Sequence, residues 1–487
     1  MNLTNFWDVQ DLAKNKAKVK KIFFYRISGM GMGTTATLFK DQGFEVAGCD
    51  MQFYPPMGDY LKKRAIPCFK MEDATNDLLK QYDLIVVGNS VGKGSKDAEL
   101  IENCGVPFTS FPALLGEYIL KDREVVGIAG THGKTTTTYY MIQFLAGLGA
   151  DPGYLVGGVL DDREASKVGT SPYFVIESDE YDSSYFQKFS KLRLYQIKHL
   201  VLSALEYDHA DIFPTLQDIT KQFLAVTAPL KSFYANGDYP EAHVVANQYR
   251  DQHQGMSNYR VPEFYGLEQA GGPSNIIQSE KGSEFTLVIN GKAERFETNV
   301  VGKQNILNLT ACILFCVKEK FELSKIRTVL KNIKNVKRRQ ELKGSYGELL
   351  VVDDFAHHPT AIKLTLDSLM NMYPGRPVHV VFEAITSTAR SNAFQKEFAL
   401  SFAGVKSVLV ANPQLPTNAT QFNNLDYHQL SQDIKQMGIF SKEFKELSEL
   451  RQQIDQWKSQ PGLLVILSNR TVLGLWESSF VSELKKI

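Results

Sequence analysis

The stretch GIAGTHGKTTTTYYM, Gly127 to Met141, decides how the rest of the chain is read. Gly130 ends a strand-like apolar run, and Lys134 opens a segment, KTTTTYYMIQFLAGLG, that can form a helix. Strand, tight glycine turn and helix N-terminus together build a phosphate site, because free amide N–H groups converge there and the helix dipole favours an anion. The widespread phosphate-loop pattern places a glycine five residues before the glycine of its Gly-Lys pair, and here that position is Ile128. A shorter loop stands in its place: Gly130, Thr131, His132, Gly133, Lys134 and Thr135, with Thr136 following. Lys134 is placed to reach the β- and γ-phosphates of a nucleotide, and the Thr135 hydroxyl to ligate Mg²⁺. The plainer reading, an ordinary turn with a surface lysine, is disfavoured by the context on both sides.

The chain has 487 residues, too many for one core, and the length suggests about three domains. Lys plus Arg and Asp plus Glu both number 54. That balance argues against a binder of duplex nucleic acid, which carries a basic face, but leaves room for a local phosphate pocket. The N-terminal MNLTNFWDVQDLAKNKAKVKK has no apolar core of a signal peptide, and no window has the apolar length of a membrane span. The five cysteines are not spaced as a metal knuckle, and Cys312 and Cys316, four apart on an expected helix, read as small buried residues. A reducing, cytoplasmic setting is expected.

Apolar strand-like runs alternate with helical segments, the signature of α/β layers. A first series has runs at 21–27, 44–50 and 83–89, and a second at 124–130, 173–179 and 199–205. Between about 255 and 300 the pattern turns to short alternating runs such as EFTLVING, expected to be antiparallel. A third series has runs at 349–355, 378–384, 407–412 and 463–469. Three domains are therefore expected, over 21–123, 124–336 and 337–487, joined by short connections.

Other polar residues gather where the expected strands end. VIESDEYD (175–182) sets Glu177, Asp179, Glu180 and Asp182 together at a carboxyl end, where α/β sheets place ligands. Beside a phosphate loop, one or two of them suit Mg²⁺, which prefers hard oxygen ligands; alone they would read as a solvated acidic turn. LEYDHADIF (205–213) offers Asp208, His209 and Asp211, and a single His is more often structural than a ligand. DDFAHHPTAI (353–362) brings paired Asp and His residues ahead of a helix expected to start at Pro359. The N-terminal RISGMGMGTTATLF carries Gly29, Gly31 and Gly33, with Asp50 closing the next strand. This compressed dinucleotide fingerprint suits a nucleotide or sugar nucleotide without specifying NAD.

Taken in order, GTHGKTTT, ESDEYD, DHAD, GKQNILN (302–308), KRRQE and DDFAHHP resemble the Mur ligase family from about residue 21 to the end. The resemblance implies an α/β fold of three domains, with Rossmann-like N- and C-terminal domains around a central phosphate-loop ATPase domain. It implies an ATP- and Mg²⁺-dependent ligase that phosphorylates a carboxylate and lets an amine attack the acyl phosphate. Gly29, Met30, Gly31, Met32, Gly33 and Asp50 would then bind the UDP-sugar. Gly130 to Thr136, with Asn305, Asn308, Arg338, Arg339 and Asp353, would bind ATP. Thr135, Glu177 and His209 would hold metal, and Lys134, His209, Arg339, Asp353 and His357 would carry catalysis. His357 and His358 would line the amine side.

YPPM (54–57), ALEYDHADIF and AHHPTAI resemble family members that join L-Ala-γ-D-Glu-meso-diaminopimelate to UDP-N-acetylmuramate in peptidoglycan recycling. They resemble less the members that add L-alanine, which remain an alternative, as does a nucleotide-binding relative with altered or lost catalysis. Partners would be these small molecules, with no nucleic acid or membrane, in a monomer or weak dimer. Four departures stand out. Arg26 occupies the first glycine position of the sugar-nucleotide turn, and Ala204 replaces an Asn. Ile385 stands where an Arg is expected, and SNRTVLGL (468–475) replaces a glycine-rich SNGGFGG. Arg390 is the nearest cation able to replace the missing Arg as an amine-substrate residue, if a helix starting near 386–388 turns it inward.

Overall fold

The computed structural model describes residues 1–486 except 159, 161, 211, 258, 280, 387 and 416–422. Asp211, one of the carboxylates noted above, therefore lies outside the described residues. The chain forms two compact units, one of residues 1–206, 219–273 and 307–333, the other of 207–218, 274–306 and 334 to the C-terminus.

The first unit holds two large sheets and a two-stranded hairpin, Asp182–Ser184 with Gln187–Ser190. One large sheet is fully parallel, in the order Cys68–Lys70, Glu45–Asp50, Lys21–Tyr25, Leu84–Val87, Phe108–Ser110. The other runs Glu263–Tyr265, Ser232–Asn236, His199–Leu202, Glu124–Ala129, Tyr173–Ser178, Gly153–Leu155, Ser166–Lys167, parallel except for its last pair. In both, the order reverses beside a central strand, Lys21–Tyr25 or Glu124–Ala129, and at such a switch point the carboxyl ends leave a crevice for ligands. The central strands are buried on both faces, which is why their sequences are unbroken apolar runs.

The second unit has an antiparallel sheet of Ser274–Ser279, Gly282–Ile289 and Lys292–Thr298, as the alternation at 255–300 suggested. Its larger sheet runs Glu341–Tyr346, Leu349–Asp354, Gly462–Leu467, Val378–Glu383, Ser407–Ala411, Phe440–Phe444, parallel apart from the first pair. Apolar clusters cover both its faces. Each of the ten long apolar runs read from sequence overlaps one of these strands, and only Gly462–Leu467 begins a residue before its run. Edge strands such as Phe440–Phe444 escaped notice because they alternate or are short. Cys312 and Cys316 are buried on the helix Lys303–Lys318, and among the described residues no helix is long and apolar enough to cross a membrane.

Within the first unit the two sheets are locked together by close contacts. The Ser166 hydroxyl lies 3.0 Å from that of Thr37 and donates to the Thr34 carbonyl at 3.1 Å. Phe186 packs against Phe6 and Phe108, with ring centroids 5.1 and 5.2 Å away. Gly116 lies so close to the Leu194 carbonyl oxygen that a Cβ would collide with it. Gly116→Ala should therefore destabilise the protein by roughly 1–3 kcal/mol in chemical denaturation, the usual cost of overpacking. Gly92→Ala, in open space, should be near neutral; equal midpoints for the two variants would show that this joint yields freely.

Candidate active site

The loop after Glu124–Ala129 keeps the conformation that its glycines permit. Gly130 and Gly133 have φ of +124° and +79°, and a Cβ on Gly130 would come 2.5 Å from the Ala204 carbonyl oxygen. One on Gly133 would come 2.9 Å from Asn308 Oδ1. The Thr131 amide donates to the Ala204 carbonyl at 3.0 Å, a backbone bond that serves as well with Ala as with the expected Asn. The helix Lys134–Gly147 starts directly at the lysine, whose Nζ donates to the Gly130 carbonyl at 2.7 Å. His132 has its Nε2 3.0 Å from Glu206 Oε2, so the histidine links the loop to the segment that follows the strand His199–Leu202.

Glu177 stands on the neighbouring strand, in register with Ile128. Its carboxylate accepts from the Thr135 hydroxyl at 2.8 Å and from the Gly157 amide at 2.9 Å. Desolvation, reinforced by the Asp179 charge, pushes the Glu177 carboxyl upward. Burial also works against ionised Asp179, but Lys191 and Lys134 outweigh it and hold that carboxyl below its ordinary value. Lys134 Nζ lies 3.8 Å from Asp179 and 3.5 Å from Glu180, a carboxylate with no exposed surface. A hydroxyl and a carboxylate side by side are hard oxygen donors that fit a small divalent cation. The glycine cradle and the lysine fit a phosphate chain.

At the first sheet, Met30, Gly31, Met32 and Gly33 form the opening turn of the helix Met30–Asp41, with Gly29 as its N-cap. Asp50 accepts the Ser28 amide at 2.8 Å and the Met51 amide at 2.7 Å. Arg26 adopts φ +66°, and its guanidinium meets Asp97 at 2.5 Å and Asp50 at 3.9 Å. A cavity of about 450 Å³ opens beside Met30, bounded by Met57, Tyr60, Lys63 and Arg163.

In the second unit, Arg338 is the hub at the carboxyl ends of the sheet. Its Nε donates to Asp353 Oδ2 at 3.0 Å, and its Nη2 to the Ser468 and Arg470 carbonyls at 2.7 and 3.0 Å. Arg339 lies 5.0 Å from the Phe355 ring centroid. His357 Nδ1 is 3.0 Å from the Phe355 carbonyl oxygen, while buried His358 caps the helix Pro359–Met372 and meets the Phe394 ring edge-on at 4.7 Å. His209 has φ +53° and donates its amide to Asp208 at 2.7 Å. Asn305 donates to the Val301 carbonyl at 2.9 Å. Arg390 is not on a helix: residues 388–390 form a turn whose Arg390 amide donates to the Thr386 carbonyl at 2.9 Å, and the next α-helix is Gln395–Ser401.

Several contributors had no motif to announce them. Glu383, 2% exposed, accepts from the Ser468 hydroxyl at 2.8 Å and from the Val472 and Leu473 amides at 3.1 and 2.8 Å. Glu206 and Lys191 likewise sit inside or near quoted runs without being distinguishable by type or spacing.

A strand, a glycine cradle and a helix headed by Lys-Thr, with a carboxylate on the adjacent strand, define an α/β protein of the phosphate-loop kind. Residues 21–123 match the Mur ligase family catalytic domain, 128–316 the Mur ligase middle domain, and 338–469 the Mur ligase glutamate ligase domain. The UDP-N-acetylmuramate–L-alanyl-γ-D-glutamyl-meso-2,6-diaminoheptandioate ligase of Escherichia coli is 33% identical over 81% of this chain and 85% of its own length. The UDP-N-acetylmuramate–L-alanine ligase of Desulfitobacterium hafniense is 27% identical, over 91% of this chain and 96% of its own. A solved murein peptide ligase from Psychrobacter arcticus superposes with a TM-score of 0.64 at 26% identity, covering 96% of this chain and 99% of that one. The chain belongs to the Mur ligase family, and its fold is that family's three-domain α/β architecture.

Asp353 gives the second unit a pH signature. Burial pushes its carboxyl up to about 6, against the pull of Arg338. A folded-state value above the unfolded one, about 3.9, means that the native state binds the proton more tightly. The associated stability is full below about pH 4 and is lost as pH rises to about 6, on the order of 3 kcal/mol in all. Asp353→Asn should flatten that part of the stability–pH curve, measured by denaturant unfolding between pH 4 and 7. An unchanged slope would mean that Asp353 does not titrate in this range.

Proposed function

We propose that this enzyme joins the carboxylate of UDP-N-acetylmuramate to the amine of the tripeptide L-Ala-γ-D-Glu-meso-diaminopimelate, with ATP as the phosphoryl donor. The observation that carries the reading is the glycine cradle with Lys134 and the Thr135–Glu177 pair at 2.8 Å. The acceptor comes from the Escherichia coli relative, whose name specifies both substrates and which is more similar than the alanine ligase.

A carboxylate is a poor electrophile until one of its oxygens becomes a leaving group. Transfer of the terminal phosphoryl to that oxygen releases ADP and supplies one; the amine then attacks the acyl carbon, loses a proton, and phosphate departs as the amide forms. Charge gathers first on the transferring phosphoryl and then on the tetrahedral centre, so fixed cationic groups stabilise what the reaction creates. In this reading Lys134 would neutralise the phosphoryl, Thr135 and Glu177 would hold one Mg²⁺ and His209 a second, and each ion when bound would add charge neutralisation. Gly130 to Thr136 would line the phosphates, Asn305 and Asn308 would face the adenine, and Arg338, Arg339 and Asp353 would bind ATP. Residues 21–123 would bind the UDP-sugar through the helix N-terminus at Gly29–Gly33 and through Asp50. Residues 124–336 would bind ATP, and 337–487 the amine substrate, lined by His357 and His358. A cytoplasmic setting suits these substrates.

Retained Lys134 and Glu177 favour a working ligase over a relative that only binds nucleotide. The altered loops at Ile385 and at Arg470–Gly474 favour one second reading, a ligase with a different acceptor. Phosphate release from ATP with UDP-N-acetylmuramate, comparing the tripeptide with L-alanine, decides between them: faster release with the tripeptide is expected, and release with L-alanine alone would reassign the acceptor.

Two variants probe the parts. Lys134→Ala should lower turnover roughly 10³-fold or more; near-normal ligation would remove the lysine from phosphoryl transfer. If Arg390 reads a carboxylate of the acceptor, Arg390→Ala should raise the tripeptide KM or lower kcat while leaving ATP affinity alone. Identical kinetics with every peptide would remove Arg390 from acceptor recognition.

A further inference from the structure

Lys191 takes no part in the mechanism above, yet it is among the most deeply placed charges of the first unit, with its side chain 7% exposed. A hairpin of Asp182–Ser184 and Gln187–Ser190 turns the chain back so that Lys191 meets the acidic strand end. The Ser190 hydroxyl pins this return by donating to the Asp179 carbonyl at 3.2 Å. Lys191 Nζ lies 3.3 Å from Asp179 Oδ2, 3.8 Å from the Tyr181 ring centroid and 5.3 Å from that of Phe111. Phe111 in turn is the side chain that a Cβ on Gly31 would touch, at 3.5 Å.

Burying an ammonium is costly, and an apolar side chain of similar length could fill the same space between two aromatic rings without that cost. What the charge supplies is a partner for Asp179. The other oxygen of that carboxylate is 3.8 Å from Lys134 Nζ, so one acid lies between two lysines. Around the loop stand Glu177, Asp179 and Glu180 against Lys134 and Lys191. Without Lys191 the balance shifts by one charge toward the acids, and Asp179 turns its full attraction on Lys134.

We propose that Lys191 is a positioning residue for nucleotide binding: by holding Asp179 it leaves the Lys134 ammonium available to phosphate. Through Phe111 the same ammonium ties the phosphate loop of one sheet to the glycine turn of the other. The inference rests on the proposed role of Lys134 but not on the identity of the acceptor.

The test is a double-mutant cycle read by calorimetric ADP binding in the presence of Mg²⁺, with unliganded melting as the control for folding. Lys191→Met should weaken ADP binding by about tenfold or more, the scale of one charge removed at this range in a partly desolvated site. Lys191→Arg should retain binding to within about threefold, because the charge is kept. In the Asp179→Asn background, Lys191→Met should have little further effect, since no carboxylate remains to be held. A lowered melting temperature with unchanged ADP affinity would overturn the proposal, and so would an equal loss on both backgrounds. Should Lys191→Met not fold, Lys191→Gln takes its place, keeping a donor toward Asp179 without the charge. ADP binding without ligation of any acceptor by the wild type would sink the proposed reaction and leave this inference standing.

Discussion

The first unit depends on a shortage of space at the end of one strand. Glu124–Ala129 runs between two parallel neighbours and must hand over to a helix within four residues, while the Ala204 carbonyl and the Asn308 side chain crowd the path. Only residues without a Cβ fit at 130 and 133, and both need a positive φ. Given that backbone, Lys134 heads the helix, and Thr135 falls opposite Glu177. The chemistry is therefore a consequence of close packing as much as of residue choice.

The loop's side chains are held by neighbours that offset one another. His132 meets Glu206, Thr135 meets Glu177, and Lys134 faces Asp179 and Glu180. Each pairing satisfies a group that would be costly to bury alone, and each can be exchanged for a ligand atom of the same charge. Glu177, pushed toward its neutral form by desolvation and by Asp179, is the group a cation would most relieve. A site poised in this way gains more from binding than one whose charges are already content in water.

Much of this was legible in the sequence because parallel strands buried on both faces spell themselves as apolar runs, and their polar ends mark the crevices. GTHGKTTT, ESDEYD and DDFAHHP could be placed on strand ends without coordinates. The partners that tune them could not. Lys191 reaches Asp179 only because a hairpin folds back, and Glu383 matters only because the segment after Gly462–Leu467 folds over the end of its strand. Neither fact has a spacing rule. Arg390 shows the reverse failure: a polar run that suggested a helix start forms a turn instead, since Thr386 accepts its amide locally and the helix begins only at Gln395.

Two of the departures from the family pattern, Arg26 and the loop at 468–475, share a physical meaning in the backbone. Arg26 and Leu473 stand at glycine positions of the resembled motifs, and both hold the left-handed φ that glycine makes easy, at +66° and +50°. Val472, next to Leu473 in the chain, does the same at +55°, an unfavourable conformation for a β-branched residue. These positions hold a strained backbone, and in each case a buried or half-buried carboxylate secures it. Asp97 and Asp50 hold the Arg26 guanidinium, and Glu383 takes the amides of Val472 and Leu473. Strain of this kind persists only where surrounding contacts over-determine it. A residue with a side chain at a glycine position can thus still hold a left-handed turn, and what it adds is a side chain projecting from that turn.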